Sequence, residues 1–350
     1  MTTTCLMPIN DEELRIAAAG VVDLPIEQAT IWDRFEHTQH HLLWCGTHFL
    51  WKEDNKPIAL LSLWTYELHG FRYLWARNGP VWLKEASPER ELALRKDLRA
   101  LVRATDSRVV WVRLHAWFKA PDTREPFRMI TFDRTVVIDC SGKTPEAIAN
   151  TMTTEGRRAL RRAQKRMTQA SARVVEETGL TKQQFHEYFD VLEETGHRDG
   201  FHPHPLEYYW DLLDSLGPHH ARLFAVRAPI KGEEDRLLCW DLVLLNDRQA
   251  WVHYGASRFE ARHVLGPDAL DFEVACILGA EGVKGVDLMG AHSTRVPQLY
   301  SVGRYKRRFA RDFTNVAGAW DMPLRGGVFH CLKASYRVLL AWRCLTERRG

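Results

Sequence analysis

The sequence predicts an α/β (α+β) chain of two tandem domains, each a mixed, mostly antiparallel sheet flanked by helices. Three observations predict this. The 350 residues are enough for two separate cores. The 45% hydrophobic and 27% charged fractions are those of an ordinary soluble globular protein. One order of elements (strand, hairpin, helix, closing strand) is read twice, at an offset of roughly 175 residues.

In the first half, 47–51 reads as a strand, and 57–67 with 72–76 as a hairpin around His69-Gly70. Pro88–Thr105 reads as a helix, with Ser87 as N-cap and Glu89 and Glu91 in the first turn, where the helix dipole favours them. The closing strand is 109–114. In the second half, 222–227 is the strand, 236–245 and 249–254 the hairpin around Asn246-Asp247, Gly266–Glu281 the helix and 286–289 the closing strand. Identity between the halves is slight, so the repeat is one of structure. The join is expected after strand 135–139, where Thr144 can cap and Pro145 suits a first helical position. This gives domains 1–143 and 144–324. Residues 325–350 pack back on the body through a helix at 329–346 carrying Leu332, Tyr336, Leu339 and Leu340 on one face.

The net charge is only +3, so any preference for anions must come from local patches. No apolar run has the length of a membrane span, and the N-terminus lacks a basic region followed by an apolar core. The 7 cysteines are scattered and never spaced Cys-x-x-Cys, which predicts reduced thiols in the cytoplasm. His37, His40 and His41, His202 and His204, and His219 and His220 invite a metal reading. No His-Glu-x-x-His arrangement accompanies them, and no metal is expected. There is no Walker loop and no Gly-x-Ser-x-Gly elbow.

Two stretches concentrate cations. Between 157 and 166, Arg157, Arg161 and Lys165 recur at i, i+4, i+8, as do Arg158, Arg162 and Arg166, with no acid among them. Such a helix face repels itself unless an anion is near, which points to an RNA backbone or a membrane surface, with a solvated face as the plainer alternative. Further on, Arg304, Lys306, Arg307, Arg308 and Arg311 interleave with Tyr305, Phe309 and Phe313, just after a short strand that stops at Gly290. Arg198 is placed on a loop beyond a helix ending at Gly196. A planar two-pronged donor there suits a diphosphate or carboxylate, with Asp199 or Glu194 as alternative partners. Tyr254 ends a hairpin strand, where it can pack or offer its hydroxyl to a substrate.

A hairpin feeding a helix and a closing strand is the core order of the GNAT acyltransferase fold. The Arg/Gln-x-x-Gly-x-Gly/Ala step that grips coenzyme A there is missing. The segments VDLMG, GRYKRRF and AGAWDMPL resemble the closing motif of the FemABX peptidoglycan aminoacyltransferases. Asn78-Gly79-Pro80-Val81, Thr135 to Asp139, Arg157 with Leu160 to Ala163, Glu194-Thr195 with Arg198 to Phe201, and Tyr254 to Ser257 fall in the family's order. The resemblance implies a compact, insertless tandem GNAT enzyme. It implies transfer of an amino acid from aminoacyl-tRNA to the side-chain amine of the third residue of a uridine- or lipid-linked muramyl pentapeptide, without cofactor, by a cytoplasmic monomer able to touch the inner face of the membrane.

By the same resemblance the muramyl peptide lies in the cleft between the halves, with Arg198 on its diphosphate. His202 stands where compact members carry Tyr, and Tyr254 and Tyr305 line the substrate. Lys306 stabilises charge on the carbonyl oxygen or holds the terminal phosphate of the tRNA. Arg157, Arg158, Arg161, Arg162, Lys165, Arg304, Arg307 and Arg308 hold the tRNA. His115 occupies the place of a family Asp and could serve as base or acceptor. Three other readings stay open: a thioester-dependent acyltransferase, a transferase acting on a lipid or other peptide amine, and a non-catalytic tRNA-binding relative.

Overall fold

The computed structural model describes residues 3–126, 131–230 and 232–347. The chain opens with β1 (Thr4–Ile9), α1 (Asp11–Ala18), α2 (Trp32–Thr38), β2 (Leu42–Leu43), β3 (His48–Glu53), β4 (Lys56–Leu61), β5 (Trp64–Leu68), β6 (Phe71–Trp75), β7 (Val81–Trp82), α3 (Pro88–Thr105) and β8 (Trp111–Ala116). It continues with β9 (Arg134–Thr135), β10 (Val137–Asp139), α4 (Pro145–Thr151), α5 (Thr154–Gln169), β11 (Arg173–Glu176), α6 (Lys182–Asp199), α7 (Leu206–Leu216), β12 (Ala221–Ile230), β13 (Glu233–Asn246) and β14 (Gln249–Ser257). It ends with α8 (Ala261–Val264), α9 (Gly266–Glu281), β15 (Gly285–Asp287), α10 (Tyr300–Lys306), β16 (Thr314–Asn315), β17 (Gly318–Pro323) and α11 (Gly326–Glu347).

Two compact units emerge, and neither is a single run of chain. The first takes the residues up to Val21, Glu27–Thr131 and everything from Ala317 on; the second takes Val22–Ile26 and Phe132–Val316. The expected join at 143/144 therefore moves to 131/132, and the expected end of the second domain at 324 moves back to 316. Strand pairing is the reason. β10 bonds to β15 of the second unit, while β17 bonds to β8 of the first. Sequence pattern marks a strand but not its partner.

The first unit holds a sheet of order β1-β3-β4-β7 and another of order β17-β8-β6-β5-β2. The strand expected at 57–67 is broken between β4 and β5. There Gln28 supplies the partners a ladder would: Ser62 N–H donates to its Oε1 at 2.8 Å, and its Nε2 donates to the Ser62 carbonyl at 3.3 Å. The hairpin β5–β6 is antiparallel, α3 crosses over, and β8 returns parallel to β6. In α11, Phe329 is fully buried and meets Trp111 edge-on at 5.8 Å. Leu339 and Leu340 lie outside the residues whose side chains are described.

The second unit repeats the pattern. Its sheet has the order β10-β15-β14-β13-β12-β11, with β13–β14 antiparallel and β15 parallel to β14 after the α9 crossover. α9 is apolar almost all round, so it is buried rather than amphipathic. Leu270, Phe272, Val274, Ala275 and Leu278 join the core with Phe224, Val226, Leu238 and Val243. The helix is bounded by left-handed residues, Leu265 at φ 54° and Gly282 at φ 104°.

Candidate active site

The C-terminal end of β15 is where the second unit gathers its buried charge. Asp287, the last residue of β15, accepts from Thr135 Oγ1 and from the Met289 N–H, the latter at 2.6 Å. Met289 takes a left-handed conformation at φ 64°, and the chain turns out of the sheet. α10 then brings Lys306 back to that exit: Nζ donates to the Met289 carbonyl at 3.1 Å and to the Gly290 carbonyl at 3.2 Å. The cation-rich stretch thus begins as a short helix whose lysine points inward. Gly303 permits the approach, since a Cβ there would collide with His292.

Three carboxylates surround this lysine. Asp241 sits in the middle of β13, opposite Gly255 of β14; a Cβ on Gly255 would lie 2.6 Å from Asp241 Oδ1, so only glycine leaves it room. Asp271 projects from α9 and accepts from the Tyr305 hydroxyl at 2.6 Å. Asp287 closes the group. Burial is the largest influence on each and raises all three, Asp271 to about 7 and Asp287 to about 6. Asp241 is raised by burial and by the neighbouring Asp271, against which Lys306 is the opposing charge. Burial in turn lowers Lys306, while the three carboxylates work to keep it charged.

This arrangement can do two things. A buried carboxyl titrating near neutrality can take a proton from an ammonium nucleophile. An ammonium group with two of its three protons bonded to carbonyls has one left for an oxygen that gains negative charge.

Of the expected substrate contacts, Tyr305 is committed to Asp271, and its ring is covered by Arg308 at 5.8 Å. Arg198 lies within α6, not beyond it: the helix runs to Asp199, because Gly200 at φ 78° is the left-handed cap. Gly196 is instead packed against the Phe201 carbonyl. The Arg198 fork is bidentate to Asp199 at 2.8 and 2.9 Å, with its third arm on the Ser257 carbonyl at 2.5 Å. His202 is exposed in the loop after α6. Tyr254 stands on β14, its hydroxyl 3.4 Å from that of Tyr208 and its ring edge-on to Tyr209 at 4.8 Å. Arg198, Tyr254 and Asp241 are thus linked through β14. His115 belongs to the first unit, on β8, where Nδ1 donates to the Ala317 carbonyl at 2.9 Å.

The two cationic stretches are joined. The Arg308 carbonyl accepts from Thr153 N–H at 3.2 Å and Thr153 Oγ1 at 3.1 Å, at the N-terminus of α5. The Arg308 side chain pairs with Asp268 at 3.1 Å and with Glu155 at 3.5 Å, so it braces the site and is not left for an outside anion. Arg307 lies over Phe313 at 5.4 Å and 3.9 Å from Asp312. Arg304 is exposed and lies over Tyr300 at 5.9 Å. On α5, Ala159, Leu160, Ala163 and Met167 face the core. Arg157 bonds back to the Met152 carbonyl at 2.8 Å. Arg158, Arg161, Arg162 and Lys165 are exposed, and among the described residues no carboxylate lies within ion-pair distance of them.

Residues 154–307 match the family model described as an acetyltransferase (GNAT) domain. Comparison with curated proteins by sequence finds no match. FemX superposes on 93% of this chain and 99% of its own, with a TM-score of 0.69 at 14% identity. The chain has the fold of FemX. A tandem GNAT protein from the clavulanic acid biosynthesis pathway is similar over 92% of this chain and 99% of its own, with a TM-score of 0.52 at 12% identity. The C-terminal domain of a putative lysylphosphatidylglycerol synthetase from Agrobacterium fabrum is similar over 93% and 97%, with a TM-score of 0.51 at 11% identity. The FemX-like fold accounts for the doubled hairpin–helix–strand order, and the family match spans α5, α9 and Lys306.

The motifs and charge runs of the sequence single out none of Asp241, Asp268 and Asp271, and place Asp287 only as part of a strand. A signal is nevertheless present: an acid inside the apolar run Leu237-Leu238-Cys239-Trp240-Asp241-Leu242-Val243, and Asp268 and Asp271 in the first half of a largely apolar helix. A carboxylate in such a run is buried with a purpose or a partner. No described helix is long and apolar enough to cross a membrane.

Proposed function

We propose that this FemX-like chain is an aminoacyltransferase that moves an amino acid from aminoacyl-tRNA to the side-chain amine at the third position of a peptidoglycan precursor peptide. One observation carries the reading. Helix α5, whose exposed cations have no ion-paired carboxylate among the described residues, is tied through Glu155 and Arg308 to Asp268, beside a buried cluster that pairs a proton-accepting carboxyl with a lysine. RNA phosphates supply the anions that α5 lacks. Asp271 takes the proton released by the attacking amine, and Lys306 offers its remaining N–H to the carbonyl oxygen of the ester. Attack is direct: the amine nitrogen bonds to the carbonyl carbon, the ester C–O bond breaks, and the proton held by Asp271 passes to the leaving oxygen, so that the tRNA departs in its hydroxyl form. The acceptor is a uridine- or lipid-linked muramyl pentapeptide, and the protein works in the cytoplasm or at the inner membrane surface. For Arg198 to bind a diphosphate it must exchange Asp199 for the ligand.

A second reading is favoured by the acetyltransferase description of the matching family: a thioester donor in place of the tRNA. The lysylphosphatidylglycerol synthetase relative keeps a lipid acceptor in view as well. The test is a transfer assay with tRNA charged with labelled amino acids and with nucleotide-linked and lipid-linked pentapeptides. RNase-sensitive label on a pentapeptide is expected. Label reaching only a membrane lipid would replace the acceptor. Transfer from acyl-coenzyme A that survives RNase would replace the donor.

A further inference from the structure

A different group of side chains, in the first unit, has no part in this chemistry. Asp11 lies in the first turn of α1, Asp33 in α2, and His48 opens β3. One donor atom from each lies within 4.8 Å of the others. Of the first-turn acids of α1, Glu13 completes a capping box with Asn10 and Glu12 pairs with Arg15, whereas Asp11 turns to His48.

The imidazole is the informative member. Its side chain is 1% exposed, and its Nε2 is buried with no hydrogen-bond partner. That orphaned nitrogen faces Asp11 Oδ1 at 3.4 Å and Asp33 Oδ2 at 3.6 Å. A charge-assisted hydrogen bond to a carboxylate would close to about 2.8 Å. Donors bound tetrahedrally to zinc at about 2.0–2.1 Å stand about 3.3–3.4 Å apart. Both distances from Nε2 are close to that spacing. The other ring nitrogen, Nδ1, lies 2.8 Å from Ser62 Oγ, the arrangement that orients a ligating imidazole. Among the described residues no lysine or arginine pairs with Asp11 or Asp33, so the two carboxylates lack a counter-charge.

We propose that Asp11, Asp33 and His48 form a zinc site that clips α1 and α2 to β3. One imidazole and two carboxylates suit a divalent transition metal, and three protein donors leave the fourth position to water. Of the histidines whose spacing suggested metal in the sequence, His41 is engaged with Glu36 at 2.5 Å and His37 lies edge-on to Trp64 at 5.8 Å.

The experiment is zinc titration of the chelator-stripped full-length protein against a chromophoric competitor, with thiols alkylated because Cys5, Cys45 and Cys331 are exposed. One zinc per chain and a rise in Tm are expected. Asp11→Asn alters a side chain that is 70% exposed, so the fold tolerates it, and it is expected to weaken zinc at least about tenfold. Asp33→Asn should do the same. Zinc bound only before alkylation, no saturable binding, or wild-type affinity in both variants would overturn the proposal. None of these readouts depends on the acyl-transfer reaction.

Discussion

In the first unit, Arg113 of β8 and Asp321 of β17 meet in a buried bidentate pair at 2.7 and 3.0 Å. In the second unit, the corresponding closing strand β15 carries Asp287, whose side-chain partner on the neighbouring segment is the neutral Thr135. The contrast extends outward. Burial opposes ionisation of Glu36 in the first unit, but Arg77, His41 and Tyr66 outweigh it and lower its pKa. In the second unit Asp241, Asp271 and Asp287 share Lys306, and burial prevails. One order of elements thus serves two purposes. Matched charge at Arg113–Asp321 and around Glu36 locks those parts of the first unit, while the surplus of acid around Lys306 keeps protons available near neutral pH.

The matched pair carries the largest expected effect. Arg113→Met removes the bidentate partner of the buried Asp321, and is expected to cost about 3–5 kcal/mol in urea unfolding. A cost of less than about 1 kcal/mol would mean the pair is not the lock described. Lys306→Met is next: transfer is expected to fall about 10²–10³-fold, with the protein still folded by circular dichroism. Wild-type turnover would remove Lys306 from the reaction. Asp271→Asn keeps an acceptor for the Tyr305 hydroxyl, and is expected to lower the rate about 10²-fold and to abolish the rise of rate with pH towards 7.

The same carboxyl also acts on stability. Its folded pKa, about 7, lies above the ordinary aspartate value of 3.8, so the folded state binds the extra proton in that window. Stability is therefore expected to fall as pH rises from 3.8 to about 7, by at most about 1.4 kcal/mol per pH unit for one group. Asp271→Asn should flatten that slope, and an unchanged slope would place the titration elsewhere. The smallest effect on stability belongs to Arg161→Glu, Arg162→Glu and Lys165→Glu combined. Unfolding is expected to move by no more than about 0.5 kcal/mol per site. The salt slope of tRNA binding should drop by about one for each phosphate that is no longer neutralised, and unaltered binding would make α5 an ordinary solvated face.

Much of the fold is legible in the sequence because its boundaries are written locally. Pro88–Thr105 and Gly266–Glu281 are delimited by Ser87, Pro88 and flanking glycines, and both helices have those bounds. The doubled element order is legible for the same reason. The partners of β10 and β17 are not, since exchange of strands between distant parts of a chain leaves no periodicity. Arg198 was misplaced because either Gly196 or Gly200 could end its helix, and tertiary packing against Phe201 decides between them. The acid cluster is hidden more deeply: Asp241, Asp271 and Asp287 come from a strand, a helix and a strand end, and only the assembled sheet makes them neighbours.

The late position of β17 in the chain has a consequence for biogenesis. Asp321 lies 208 residues after the Arg113 it neutralises. A ribosome delivers the whole second unit, Phe132–Val316, before the strand that completes the first. Domains made in sequence commonly mature from the N-terminus. Here the order inverts: the earlier-made sheet waits, its edge at β8 open and Arg113 without Asp321, until β17 is translated.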